Sequence, residues 1–183
     1  MINKAISFAC LAHSKQKRKG TDIPYILHPL EAGIIVSQIK YDEDLICAAI
    51  LHDTAEDAKV GYETIAEIFN ERISSLVKAQ SEDKSKSWQE RKQHTIDYLN
   101  SVKDEDVKIV SLGDKLSNMR ALYRDYIKMG DMLWNRFNVR DKNMQGQYYI
   151  GLVDSLNSLE SYREYQEFKE LVFKVFKDDK NRL

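Results

Sequence analysis

The sequence predicts an all-α fold, a compact single-domain bundle of about eight to ten helices. Three observations carry this. Apolar residues recur at spacings of three and four through most of the chain. Only seven glycines and two prolines occur in 183 residues, where average usage would place about 22, too few for a turn-rich all-β fold. Both prolines, Pro24 and Pro29, lie close together, so the long downstream stretch contains no helix breaker. The length corresponds to little more than one domain, and neither a linker nor an internal repeat divides residues 1–183.

In the first segment Ile2, Ile6, Ala9, Cys10 and His13 fall on one helical face. The basic stretch Lys15-Gln16-Lys17-Arg18-Lys19-Gly20 then runs through Thr21 and Asp22 to Pro24, and a loop of about a dozen residues suggests function. Pro29 suits a first helical position, where its missing N–H costs nothing, which puts His28 near the N-cap of the second helix. Asp42-Glu43-Asp44 places acids at the next helix start. The following Leu45-Ile46-Cys47-Ala48-Ala49-Ile50-Leu51 is apolar all round, as befits a helix in the middle of a domain. Cys10 and Cys47 have no CxxC partner and read as reduced core residues. Further helices are predicted over 62–79, 88–101, 105–127, 145–159 and 161–177, with a polar loop at 81–87 and a solvated tail at 178–183.

Lys and Arg number 28 against 29 Asp and Glu, a net charge of −1. This excludes a global attraction to nucleic acid or to an anionic membrane, so an anionic partner must be met locally. No apolar run approaches the roughly 18 residues of a membrane span. The start Met1-Ile2-Asn3-Lys4 leads straight into an amphipathic pattern without a signal-peptide core, and a cytoplasmic location is expected.

The four histidines are His13, His28, His52 and His94. His13 sits on an apolar face and is expected in the core, and His94 lies on a charged helix. His52-Asp53 closes the most hydrophobic helix, where an unpartnered imidazole and carboxylate would be costly to bury. Asp114 interrupts another apolar run, Val107 to Leu116. Together His28, His52, Asp53 and Asp114 form a mixed nitrogen and oxygen set from three helices. Such a set suits a borderline divalent ion such as Mn, Fe or Zn, and leaves positions open for water and substrate.

The segments Pro24-Tyr25-Ile26-Leu27-His28-Pro29-Leu30, Leu51-His52-Asp53-Thr54-Ala55-Glu56-Asp57 and Leu112-Gly113-Asp114-Lys115-Leu116-Ser117-Asn118-Met119-Arg120 follow the motif order of HD-domain phosphohydrolases. More specifically they resemble the hydrolase domain of the Rel/Spo alarmone enzymes, whose motifs read roughly RKxGxPYxxHP, HDxxED and LADxLxNxR. The resemblance spans residues 3–125. The remainder, with its helices at about 145–177, is similar to the single-domain small alarmone hydrolases.

The resemblance implies that His28, His52, Asp53 and Asp114 hold one divalent ion, usually manganese, and that Glu56 and Asp57 are the catalytic acids. Arg18 and Lys19 match basic residues that meet the substrate. Because the segment from Arg18 to His28 is one residue longer than in the bifunctional enzymes, Lys17 enters that set too. Asn118 matches a polar residue facing the nucleotide. Glu56 follows His52 by four and Asp57 follows Asp53 by four, so a helical continuation would stack each acid over a ligand. Gly113 replaces the usual alanine and Ser117 the usual histidine of the third motif, and geometry rather than chemistry is expected to change.

The implied activity is metal-dependent hydrolysis of the 3′-diphosphate of (p)ppGpp to GDP or GTP and pyrophosphate, with a small-molecule nucleotide as partner. A phosphatase of another nucleotide 2′- or 3′-phosphate would use the same centre. A non-catalytic nucleotide sensor would lack a ligand or an acid, whereas all six are present. No further histidine occurs between Asp53 and His94, so one metal rather than two is expected. The length leaves no room for separate synthetase and regulatory domains, and degradation without synthesis is expected.

Overall fold

The computed structural model describes residues 1–57 and 60–177; the expected tail at 178–183 and the side chain of Asp57 lie outside the described residues. The α-helices are α1 (Ile2–Ala12), α2 (Leu27–Ile39), α3 (Glu43–Leu51), α4 (Thr54–Asp57), α5 (Tyr62–Ile68), α6 (Glu71–Ala79), α7 (Trp88–Ser101), α8 (Glu105–Met129), α9 (Lys142–Ser155) and α10 (Arg163–Phe176). Short 3-10 helices cover Gly130–Arg136 and Asn157–Leu159. Among the described residues there is no strand, only an isolated antiparallel bridge between Lys17 and Pro24 that closes the basic loop. No helix among them is long and apolar enough to cross a membrane.

The apolar run 45–51 dictates the centre. Every residue from Leu45 to Leu51 is buried, and α3 is surrounded by α1, α2, α6 and α8. Its start is set by Asp42, whose side chain accepts from the backbone N–H groups of Asp44 and Leu45. The 25-residue α8 is the other axis, packed on α2, α3, α6 and α10. It begins at the Asp104 cap and stops at Gly130, whose φ of +57° takes the chain out of the helix without a Cβ penalty. Helices α2 and α8 approach closely at Gly113. A Cβ there would lie 2.7 Å from Val36 Cγ2 and 3.0 Å from the Ala32 carbonyl oxygen. The Gly113 departure from alanine is therefore what this particular helix crossing requires.

Several boundaries differ from the periodicity. The helix expected over 62–79 is two, because Asn70 turns out of the helix and its side chain accepts from the Ile73 N–H to cap α6. An apolar stripe cannot show such a break, since both helices keep the same spacing. Helix α2 starts at Leu27 rather than at Pro29. Proline is tolerated there because the first four N–H groups of a helix have no acceptor within it. In α1 the buried line is Ala5, Ala9 and His13, which turns Cys10 outward by about 100° from Ala9. Cys10 is thus exposed, against expectation, while Cys47 is buried. Helix α9 starts at Lys142, capped by Asp141, three residues before the expected start. Helix α7 occupies the expected span.

Arg72 of α6 gathers the starts of α3 and α8. Its guanidinium donates to Asp42 at 2.9 and 3.1 Å, to Asp44 at 3.4 Å and to Asp106 at 2.7 Å. Its hydrogen bond holds the Asp42 carboxyl below the usual range. At Asp106 burial raises the pKa but is outweighed by hydrogen bonds from Lys40 and Arg72.

Two outcomes are expected. Gly113→Ala gains helix propensity of about 1 kcal/mol but overpacks by about 1–3 kcal/mol, a net loss of up to about 2 kcal/mol, and the melting temperature should fall by roughly 2–4 °C for each net kcal/mol; a higher value would contradict the close-approach account. Arg72→Gln should cost no more than about 1 kcal/mol at neutral pH, because the arginine is partly solvated. Since Asp42 and Asp106 titrate below their unfolded value of 3.8, that difference is present above pH 4 and shrinks as pH falls through the folded pKa values. Chemical denaturation at pH 7 and at pH 2.5 measures it, and an equal gap at both would refute the linkage.

Candidate active site

Three helices deliver the expected metal-site residues to one point. His28 lies in the first turn of α2, His52 caps the C-terminus of α3, Asp53 follows it in the turn before α4, and Asp114 sits midway along α8. His28, His52 and Asp114 are all buried, and each offers a ligand atom within 4.8 Å of the others. His28 Nε2 is 3.2 Å from Asp114 Oδ1 and 3.6 Å from Asp53 Oδ2. His52 Nε2 is 2.9 Å from Asp53 Oδ2 and 3.6 Å from Asp114 Oδ1. The two imidazole rings are 5.1 Å apart, edge to face.

Neighbouring groups fix which ring atoms face this point. His52 Nδ1 lies 2.7 Å from the Ala49 carbonyl oxygen, which can only accept, so Nδ1 carries the proton and Nε2 faces the carboxylates. Nε2 is buried and has no properly directed hydrogen bond despite its short approach to Asp53. A buried nitrogen aimed at two carboxylates and a second imidazole is a donor set that fits a divalent cation. Tyr25 donates to Asp53 Oδ2 at 2.6 Å. Asn118 Nδ2 donates to Asp114 Oδ1 at 2.6 Å, and Lys115 donates to Asp114 Oδ2.

Charge explains the titration of the cluster. Burial alone would raise the pKa of both carboxyls. That effect is outweighed at Asp114 by the Lys115 ammonium and His52, and at Asp53 by His52, so both are held well below the usual range. Burial would lower His52, but Asp53 and Asp114 raise it well above its ordinary value. At His28 burial dominates and the pKa is lowered. The two carboxylates thus favour a proton on His52, with which a divalent cation bound there would compete.

Beside the centre opens a cavity of about 500 Å³ that His28, Ser117, Asn118, Arg18, Lys19 and Tyr149 help to line. The lining also includes Glu31, Arg124, Asp125, Arg136 and Phe137, with Arg136 donating to Asp125 at 2.8 Å. Arg18 donates to Asn118 Oδ1 at 2.8 Å, and its guanidinium carbon is 5.7 Å from the Tyr25 ring. Lys19 donates to Asn138 at 2.6 Å. Lys17 is not among the lining residues; its ammonium pairs with Asp22 at 2.6 Å. Gly20 shapes this wall. Its φ is +70°, and a Cβ there would meet the Arg136 stem at 3.0 Å, so the basic loop packs against the 3-10 helix Gly130–Arg136.

The helical continuation expected after His52-Asp53 does not form: α3 ends at Leu51 and the chain turns before α4. Glu56 lies in α4 with its Oε1 accepting from the Glu82 N–H at 2.6 Å and Oε2 3.4 Å from the Lys84 ammonium. The Asp57 side chain lies outside the described residues. Residues missed at the sequence level surround these groups. Glu82 takes Arg91 at 3.0 Å and Lys92 at 2.7 Å, and Lys92 stands 4.8 Å above the Tyr148 ring. Glu82 lay in a polar loop that offered no signal, whereas Lys115 could have been noticed as a second charge inside an apolar run.

The sequence pattern of the HD domain family matches residues 5–137. An Aquifex aeolicus (strain VF5) protein named guanosine-3′,5′-bis(diphosphate) 3′-pyrophosphohydrolase is 38% identical over 125 residues, covering 67% of this chain and 18% of its own length. The chain thus spans less than a fifth of that relative. A Drosophila melanogaster protein named guanosine-3′,5′-bis(diphosphate) 3′-pyrophosphohydrolase MESH1 is 33% identical over 123 residues, 65% of this chain and 68% of its own. The solved structure of a metazoan ortholog of SpoT shares the fold with a TM-score of 0.76 at 24% identity, over 94% of this chain and 93% of that one. On a family pattern that covers well over half of its residues, the chain belongs to the HD domain family.

Proposed function

We propose that this chain hydrolyses the 3′-diphosphate of (p)ppGpp to pyrophosphate and GDP or GTP, using one divalent ion, Mn²⁺, held by His28, His52, Asp53 and Asp114. The observation that carries the reading is the convergence of two imidazoles and two carboxylates at the wall of a cavity that also presents Arg18, Lys19, Arg124 and Arg136. Arg18, Lys19, Arg124 and Arg136 stand against the carboxylates Glu31 and Asp125 in that lining, a positive balance in a chain whose overall charge is −1. The cavity volume of about 500 Å³ lies within the range of small-molecule sites. Two relatives bear names for this same reaction.

A divalent ion bound there supplies an acidified water and neutralises phosphoryl charge. The protein's own groups do the rest. Arg18, braced by Asn118, presents its guanidinium to the nucleotide beside the Tyr25 ring. Arg18 and Lys19 offset negative charge on the phosphoryl oxygens. Glu56 or Asp57 takes a proton from the attacking water. A new P–O bond forms from water, the bond from phosphorus to the ribose 3′ oxygen breaks, and that oxygen leaves with the electron pair and acquires a proton. Tyr25, Asn118 and Lys115 keep the Asp53 and Asp114 oxygens oriented.

The direct test supplies the metal-stripped chain with Mn²⁺ and a panel of phosphorylated nucleotides, following pyrophosphate and orthophosphate separately. Pyrophosphate from ppGpp is expected; orthophosphate from a 2′- or 3′-nucleotide with ppGpp untouched would replace this reading by the phosphatase one. Asp53→Asn should lose Mn²⁺ and at least about 100-fold of activity together, and turnover retained by the metal-free variant would sink the mechanism. Because the carboxylates raise the His52 pKa and an ion there would compete with its proton, Mn²⁺ binding at pH 7 should release protons and tighten as pH rises. Calorimetry in two buffers of different ionisation enthalpy reads this directly, and no difference between them would contradict it.

A further inference from the structure

The four proposed ligands are not equally supported by their neighbours. His52 is fixed by a backbone carbonyl and the carboxylates by Tyr25, Asn118 and Lys115. The outward nitrogen of His28 meets a side chain that neither the expected mechanism nor the motif resemblance uses. His28 Nδ1 is 2.9 Å from the Ser117 hydroxyl, a buried contact between α2 and α8. That hydroxyl has one proton and three candidate acceptors, of which His28 Nδ1 at 2.9 Å is neutral. Glu31 Oε2 is at 2.8 Å and charged, the His28 carbonyl oxygen is at 3.5 Å and neutral, so the proton goes to Glu31. The Ser117 oxygen is then free to accept, which requires the proton of His28 to sit on Nδ1 and leaves Nε2 with its lone pair toward Asp53 and Asp114.

The relay continues. Arg120, one helical turn after Ser117 on α8, donates to Glu31 Oε1 at 3.1 Å. Its remaining donors close a two-pronged pair with Glu167 of α10, at 2.6 and 2.7 Å. Glu31 is thereby pinned by an arginine that is itself pinned from a third helix, and its oxygen nearest Ser117 stays oriented. Donating to Glu31 makes the Ser117 oxygen a stronger acceptor for His28, while Arg120 fixes where that carboxylate sits. Ser117 stands where the resembled motif usually has histidine, so this chain reaches the metal-side imidazole through a hydroxyl and a carboxylate.

We propose that Ser117 and Glu31, braced by Arg120 and Glu167, are positioning residues for the metal centre: they hold His28 in the tautomer and orientation that present Nε2 to a divalent ion. The proposal rests on the metal reading of the site but not on the nucleotide, and it is tested without substrate. Mn²⁺ dissociation constants are measured for the metal-stripped chain by the electron paramagnetic resonance signal of free Mn²⁺, in the unaltered protein and in Ser117→Ala, Ser117→Thr and Glu31→Ala. Thermal melts of the metal-free forms run alongside, and ¹⁵N spectra of the histidine rings report the tautomer.

Ser117→Ala is expected to weaken Mn²⁺ binding by roughly 10–100-fold while the metal-free protein still melts cooperatively. Ser117→Thr, which keeps the hydroxyl, should bind within a few fold of the unaltered chain. Glu31→Ala, at a partly exposed position that tolerates truncation, should weaken binding in the same direction. The His28 ring should show a protonated Nδ1 in the unaltered chain and a mixture of tautomers in Ser117→Ala. Unchanged Mn²⁺ affinity in both Ser117→Ala and Glu31→Ala would overturn the proposal, as would equal weakening in Ser117→Ala and Ser117→Thr, which would trace the loss to packing. Failure to turn over ppGpp with these affinities behaving as stated would count against the proposed substrate alone, whereas an unaltered chain that binds no Mn²⁺ would remove the metal centre and this relay with it.

Discussion

Two carboxylates and two imidazoles meet where α2, α3 and α8 cross, and their burial constrains everything around them. Charges of one sign cannot be withdrawn from water side by side without compensation, since each isolated ion would cost several kcal/mol. The protein answers with Lys115 against Asp114, Tyr25 against Asp53 and the His52 imidazole between the two. An apolar α3 that is buried on every side is what carries His52 to the crossing, and Gly113 is what lets α8 come near enough to α2 for Asp114 to meet His28. Core packing and site chemistry are consequently one problem: a helix shifted outward by a Cβ would also move a ligand.

The same economy appears in how the ligands are braced. His52 is held by Ala49 three residues before it and Asp114 by Lys115 and Asn118 of its own helix, while Asp53 takes a bond from Tyr25 in the loop before α2. His28 alone depends on a chain of side chains that reaches α10. The C-terminal helices therefore bear on the centre through a polar relay. Their apolar faces, with Phe168 and Val172 buried in the core, hold that relay in place.

The opening of the cavity follows from loop chemistry rather than from helix packing. The basic stretch after α1 returns on itself through the Lys17–Pro24 bridge, and the positive φ at Gly20 lets the Arg136 stem lie across it. This arrangement sorts three consecutive cations. Lys17 turns to Asp22 while Arg18 and Lys19 line the cavity. The bridge at Lys17 and the turn that begins at Lys19 decide which neighbours share a side, which the count of charges could not.

The sequence alone determined the fold class and the four residues that converge. Helical spacing, scarce proline and an unbroken apolar run leave few architectures, and a histidine or an aspartate inside a run of buried-type residues must find a partner because solvation is lost there. Tertiary structure decided what depends on distance and direction between elements. The split at Asn70 preserves the apolar period, so it was invisible along the chain. The outward turn of Cys10 depends on which neighbour α1 meets. The contacts of Ser117 with His28, and of Arg120 with Glu167, join residues 89 and 47 positions apart, and spacing in one dimension says nothing about such pairs. Local physics picks the residues that cannot be left alone, and only the packing of helices settles which partners they receive.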